Sequence, residues 1–173
     1  MLIEQTALEG VRLITPKVFA DDRGKFFESY QKKKYSEMTK GLEFVQDNIS
    51  ISSKNILRGL HLQSPNSQGK LIQVLQGSVL DVAVDLRPDS CDFTKAQSFE
   101  LSDRNHQQLY IPPGFAHGFL VLSERAVFHY KCTDFYNKES EITISWNDKD
   151  IAINWPIESP LLSDKDKNAL SLK

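Results

Sequence analysis

His61 and Tyr130 both fall inside runs that alternate like β-strands, on faces that the alternation does not give to water. Tyr130 shares its parity with Ala126, Phe128 and Cys132, an apolar set, whereas His61 shares a face with Gly59 and Gln63, opposite Leu60 and Leu62. Imidazole, phenol, amide and ammonium groups inside a β-barrel are costly to desolvate unless the lumen binds something polar. A site inside the barrel is therefore expected. Arg58 poses a geometric problem, because Arg58 and His61 have opposite parity and cannot both face inward on a regular strand. Gly59 allows a bulge that would re-aim one of them. The same segment also reads as an edge arginine in water followed by a core histidine bonded to a backbone carbonyl.

Other chemistries find less support. The histidines are His61, His106, His117 and His129, with no His-x-His pair and no Glu in the five residues after His61. No metal site is expected, since zinc and iron sites usually need three protein ligands, two of them often close in sequence. There is no GxSxG elbow, and neither Cys91 nor Cys132 has a base beside it. Without GxGxxG or GxxxxGK[ST], nucleotide phosphates would have to be held by side chains.

The elements that must position these groups are mostly strands. Val79–Arg87 alternates most clearly, Leu80, Val82, Val84 and Leu86 against Val79, Asp81, Ala83, Asp85 and Arg87, which predicts a strand with two differently used faces. Asp81 and Asp85 are read as structural or outward-facing. Further strands are expected at Glu43–Ser50, Leu57–Gln63, Lys70–Leu75, Ala96–Glu100, Gln108–Ile111, His117–Leu122, Ala126–Thr133 and Ile142–Trp146. Turn residues such as Arg87-Pro88-Asp89 and Pro112-Pro113-Gly114 separate them. Many short strands with frequent turns predict a β-sandwich or barrel. Helix is expected only at Ser29–Thr39, with Tyr30 and Tyr35 inward and Lys32–Lys34 in water, and from a capped start at Ser163 to about Leu170. The polar residues before Arg12 are expected to form an arm strand that pairs with a partner chain.

The chain has 173 residues, 40% hydrophobic and 25% charged, which fits one soluble globular domain spanning 1–173. A net charge of −2 carries no footprint for nucleic acid or an anionic membrane. The longest unbroken apolar run, Phe119–Leu122, is far below the ~20 residues of a membrane helix. The first ten residues have no secretory pattern, and two distant cysteines read as reduced, structural thiols, so a cytoplasmic location is expected.

Five ordered stretches then become specific: Arg58-Gly59-Leu60-His61-Leu62-Gln63, Gln68-Gly69-Lys70-Leu71, Asp81–Arg87, Ile111-Pro112-Pro113-Gly114-Phe115-Ala116-His117-Gly118-Phe119 and Tyr130–Tyr136. Together they resemble the dTDP-4-dehydrorhamnose 3,5-epimerase family from about Phe19 to Asp166. The resemblance implies a mostly β, cupin-type double-stranded β-helix (jelly-roll) barrel with a few short helices. It further implies no metal or other cofactor, and homodimers that exchange N-terminal strands. By position it implies His61 as general base with Asp166 as its dyad partner, Tyr130 as general acid and Lys70 as the group steadying the enolate oxygen. His117 and Tyr136 match positions lining the sugar, Arg23 and Arg58 pyrophosphate contacts. Phe19, Phe26, Glu28, Gln46 and Asn48 match positions near the nucleoside and sugar. The sequence departs from the family at Leu62, where an aromatic is more usual, at Cys132 and Phe135 in place of Thr and Tyr, and at Ser145 before Trp146. None of these removes a catalytic group, but they leave open the sugar and whether one carbon or two is inverted.

The implied chemistry suits these residue types. Inverting a carbon beside a ketone requires a base on one face, an acid on the other and a cation at the oxygen that becomes an enolate. Histidine, with a reference pKa of about 6.5, accepts a proton near neutrality, while tyrosine, at about 10, keeps its own until a carbanion-like centre draws it. A carboxylate behind the imidazole fixes its tautomer, and an ammonium stabilises the enolate. Asp166 also reads as the acidic half of a capping box begun by Ser163, a role that does not exclude the first. The expected function is thus a cofactor-free epimerase acting at C3 and C5 of a dTDP-4-keto-6-deoxyhexose, in dTDP-rhamnose supply for surface polysaccharide. The rival readings are a mono-epimerase, an enzyme for a GDP-linked or other 4-keto sugar, a catalytically silent sugar-nucleotide-binding cupin and a metal-dependent cupin oxygenase.

Overall fold

The computed structural model describes residues 1–172; Lys173, the last position of the expected domain, lies outside the described residues. Strands dominate: β1 Leu2–Gln5, β2 Arg12–Thr15, β3 Phe19–Asp21, β4 Gly24–Phe26, β5 Gln46–Ser53, β6 Leu57–Gln63 and β7 Lys70–Gln76. They continue as β8 Ser78–Asp85, β9 Ala96–Ser102, β10 Gln108–Ile111, β11 Phe115–Val121, β12 Arg125–Cys132 and β13 Glu141–Thr143. One sheet has the order β1-β2-β10-β7-β12-β5, a second β13-β6-β11-β8-β9, and β3 and β4 form a separate hairpin. The two large sheets face each other as a cupin-type jelly roll.

Alternation along β8 explains how the layers stack. Val79 and Ala83 point between the sheets, into a core shared with Ile72, Leu101, Phe119 and Phe128. Val82 and Val84 point the other way, under the C-terminal segment, where Ile144, Ile151 and Trp155 cover them. Both faces of this strand are therefore buried, as its two apolar sets require. Asp81 belongs to the inward set and has no exposed surface, which corrects the outward-facing option for it. Asp85 is structural: Arg87 and Ser90 bond its carboxylate at 2.6 Å each.

Helix is shorter than the pattern suggests. The stretch expected at Ser29–Thr39 yields only α1, Lys32–Tyr35, capped by the Gln31 side chain. Lys32, Lys33 and Lys34 are exposed, Tyr35 is buried and Tyr30 is half-buried. With three adjacent lysines and no acidic residue in its first turn, this turn is held largely from outside, by packing of Tyr35 against Ile14, Leu71 and Tyr110 and by the Tyr35 hydroxyl donating to Gln108 at 2.8 Å. The C-terminal helix α2 is likewise one turn, Asp164–Lys167. β5 begins later than expected, because Phe44 packs under α1 instead of joining the ladder. The expected arm strand exists as β1, paired to β2 of its own chain. Among the described residues no helix is long and apolar enough to cross a membrane.

Candidate active site

β6 carries the local irregularity that the site depends on. In the β6–β11 ladder Phe119 pairs with Arg58 and His117 with His61, so two residues of β11 span three of β6. The extra residue resets the parity of β6, and Arg58 and His61 both line the same cavity. Gly59 makes this possible: its φ is +122°, and an added Cβ would lie 2.6 Å from the Gly118 Cα and 2.8 Å from the His117 carbonyl oxygen. No other residue type fits so close an approach of two backbones.

The cavity, about 240 Å³, opens between the sheets. From the five-stranded sheet come Arg58, His61, Leu62, Gln63, His117 and Phe119; from the six-stranded sheet come Ser50, Lys70, Phe128 and Tyr130. Gln68, Tyr136, Glu141 on β13 and Lys165 on α2 complete the rim. His61 and Tyr130 thus stand on opposite walls, with Lys70 on the wall of Tyr130.

His61 is held from behind. Its Nε2 donates to the Asp166 Oδ1 at 2.6 Å, which leaves Nδ1 as the acceptor; an ionised carboxylate can only accept, and this fixes the tautomer. The other Asp166 oxygen accepts from the Ser163 hydroxyl at 2.8 Å, while the Asp166 backbone N–H donates to the same serine at 3.2 Å. Ser163 is the helix cap, and the residue that braces it is also the histidine partner. Burial pushes the Asp166 carboxyl up, but the bonds from His61 and Ser163 outweigh it and keep it below its usual range. Burial raises the Tyr130 phenol above its ordinary value, so it stays protonated. Burial lowers the Lys70 ammonium, opposed by Cys132, Asp81 and Glu141.

His117, beside His61, donates from Nε2 to the Asp81 Oδ2 at 2.9 Å. Burial drives its pKa down, so the ring is neutral near pH 7. Tyr136 lines the rim, and its hydroxyl donates to Glu141 at 3.3 Å. Arg58 donates to the Ser52 hydroxyl at 3.2 Å. Gln46 and Asn48 lie on the inward face of β5 but bond each other and the wall, Gln46 accepting from the Tyr136 backbone N–H at 2.8 Å.

The remaining sequence-expected residues are not brought to this cavity. Phe19, Arg23 and Phe26 line a separate cleft on the β3–β4 hairpin that shares no residue with the cavity. Arg23 pairs with Asp21 at 2.6 Å, and Glu28 with Lys34 at 2.6 Å. Conversely, Ser50, Gln68, Glu141 and Lys165 line the cavity although the sequence reading assigns them no role, and Gln63 lines it with His61, as the alternation implies. Ser50 was legible from the period-two row Gln46, Asn48, Ser50, Ser52, and Lys165 from its place beside Asp166. Glu141 is brought in by the β13–β6 ladder, where it pairs with Gln63. Among the described residues no group of three His, Cys, Asp or Glu side chains is placed to hold a metal ion. The arrangement offers a base, an opposed acid and a cation around one small polar space.

The family model described as dTDP-4-dehydrorhamnose 3,5-epimerase matches residues 5–173. A protein of that name from Shigella flexneri is 51% identical over 170 residues, covering 97% of this chain and 94% of that protein. The crystal structure of dTDP-6-deoxy-D-glucose-3,5-epimerase from Legionella pneumophila, in complex with dTDP-4-keto-L-rhamnose, superposes with a TM-score of 0.95 at 49% identity. It covers 98% of this chain and 92% of that one. A 3'-monoepimerase from Streptomyces bikiniensis, in complex with dTDP-quinovose, gives a TM-score of 0.90 at 29% identity, covering 96% and 85%.

Proposed function

The chain belongs to the dTDP-4-dehydrorhamnose 3,5-epimerase family, and from that premise we propose how it inverts C3 and C5 of a dTDP-4-keto-6-deoxyhexose. One observation carries the assignment of roles: a carboxylate-backed imidazole and a phenol face each other across the cavity, with an ammonium on the phenol's wall.

His61 Nδ1 takes the proton from the carbon beside the ketone. The C–H electrons pass into the C4–oxygen system, and the enolate oxygen meets the Lys70 ammonium. Tyr130 then gives its proton to the same carbon from the opposite face, which inverts it. Imidazolium and phenolate exchange the surplus proton through solvent, so the enzyme returns unchanged. Asp166 stabilises the imidazolium while it exists. The same constellation serves both carbons. Higher identity to the 3,5-epimerases than to the 3'-monoepimerase favours inversion at two centres.

The diphosphate end falls to Arg58, with Gln46 and Asn48 toward the nucleoside and Tyr136 at the sugar. Phe19 and Phe26 are 54% and 72% exposed. With Arg23 and Glu28 they would contact the nucleotide of a second copy in a homodimer. Two further features support that assembly. Ile49 and Ile51 are 62% and 58% exposed on the outward face of edge strand β5, and β1 leaves Leu2 and Ile3 exposed at the opposite edge. An exchanged arm would cover such an edge. The free thiols Cys91 and Cys132 suit a reducing, cytoplasmic setting.

Incubation with dTDP-4-keto-6-deoxyglucose in D₂O tests the reaction. Deuterium is expected at both C3 and C5; label at one carbon makes the enzyme a mono-epimerase, and none removes this substrate. Light scattering on the same sample should give twice the chain mass.

A further inference from the structure

Asp81 lies at the centre of β8 with no exposed surface. Its Oδ2 accepts from His117, yet its Oδ1 has no hydrogen-bond partner among the described residues. A buried carboxylate oxygen left unpaired in a core costs stability, and the two sheets could have closed around an apolar residue here. Lys70, also without a hydrogen-bond partner among the described residues, lines the cavity that His117 lines.

We propose that Asp81 is a positioning residue for the epimerase reaction: it holds His117 with its proton on Nε2, so that Nδ1 presents a lone pair to a hydroxyl of the keto sugar. This rests on the reading of the cavity as the keto-sugar site. The geometry is direct. Nε2 is committed to the carboxylate, the ring is clamped by stacking on Phe128 with centroids 6.1 Å apart, and Nδ1 has no protein partner among the described residues. A neutral imidazole in this tautomer accepts from a hydroxyl and cannot donate to it.

Two measurements decide it. In ¹⁵N-histidine-labelled wild-type protein, with the His117 signals assigned by their loss in His117→Asn, His117 should be neutral and protonated on Nε2 between pH 6 and 9. In Asp81→Asn, kcat/KM should fall roughly 10–100-fold, and the His117 ring should no longer be held in the single Nε2-protonated form. Wild-type turnover of dTDP-4-keto-6-deoxyglucose is run beside it. An inactive wild type would remove the substrate reading while leaving the tautomer result standing. A His117 protonated on Nδ1, or an Asp81→Asn variant that keeps both the wild-type tautomer and the wild-type kcat/KM, overturns the proposal. If Asp81→Asn does not fold, the tautomer decides alone.

Discussion

His61–Asp166 and His117–Asp81 are made of the same residue types, and their histidines pair directly in the β6–β11 ladder. They nevertheless differ in almost every property that chemistry uses. The His61 side chain is 25% exposed and that of His117 only 9%. Asp166 arrives 105 residues later in the chain, on a single helical turn, with both oxygens bonded. Asp81 is fixed in a central strand with one oxygen unpaired. A histidine that must gain and lose a proton needs water nearby and a fully satisfied carboxylate to receive the charge. A histidine that must keep one tautomer is better served by burial. Environment, not residue type, separates a base from a fixed acceptor.

The sharpest way to break this contrast is to remove the exposed ring. His61→Asn should lower kcat by a factor on the order of 10⁴ and abolish deuterium wash-in as well, measured by NMR on the keto sugar. Comparable turnover in the variant would hand the base role to another group. Next in size is Asp166→Asn, expected to cost a factor of about 10²–10³ in kcat. Because the same carboxylate braces the Ser163 cap of α2, it should also lower the melting temperature. A variant with full activity would reduce Asp166 to a brace for the helix cap.

Gly59→Ala acts through the register shift. With φ at +122° and the Gly118 backbone within 2.6 Å of any added Cβ, the variant should lose more than about 3 kcal/mol in urea unfolding. A stable variant that keeps its activity would show that the bulge can be built without glycine.

Smaller shifts with pH sharpen the account. Lys70 is depressed by burial, so its protonated form, needed at the enolate, is lost below the ordinary lysine value of about 10.4. Tyr130 is raised, so it survives as an acid beyond about pH 10. The alkaline limb of kcat/KM should therefore follow the lysine and disappear from the Tyr130→Phe comparison only in amplitude. On the acid side, Asp166 is depressed on folding. Its stabilising contribution is present above its unfolded pKa of about 3.9 and drains away as pH falls through the lower folded value. Acid titration of stability should show this extra loss in wild type and not in Asp166→Asn. The smallest effect is expected from Ser163→Ala, about 1 kcal/mol of cap energy, with kcat reduced only as far as Asp166 loosens.

Sequence alone carried the strands well where alternation and turns agreed: β6 and β10 fall on the residues that the pattern marks. It failed where a polar residue sits on an inward face. Asp81 shares parity with Val79 and Ala83, but the alternation does not say which set faces the core, and an aspartate there reads as structural or outward-facing until His117 is seen beside it. Glu141 has no local signal, since only the β13–β6 pairing brings it to the rim. The β3–β4 hairpin illustrates the opposite limit: Phe19, Arg23 and Phe26 match family positions, yet a single chain leaves them apart from the cavity.

The claim under everything else is that His61 and Tyr130 act on opposite faces of one sugar ring. Wash-in from D₂O followed in Tyr130→Phe tests it most directly. The account predicts that deuterium still enters at the carbons beside the ketone, through His61, while inverted product falls further than exchange by a factor on the order of 10²–10⁴. Exchange and inversion lost in equal measure would contradict it, because the phenol would then not be the acid on the far face.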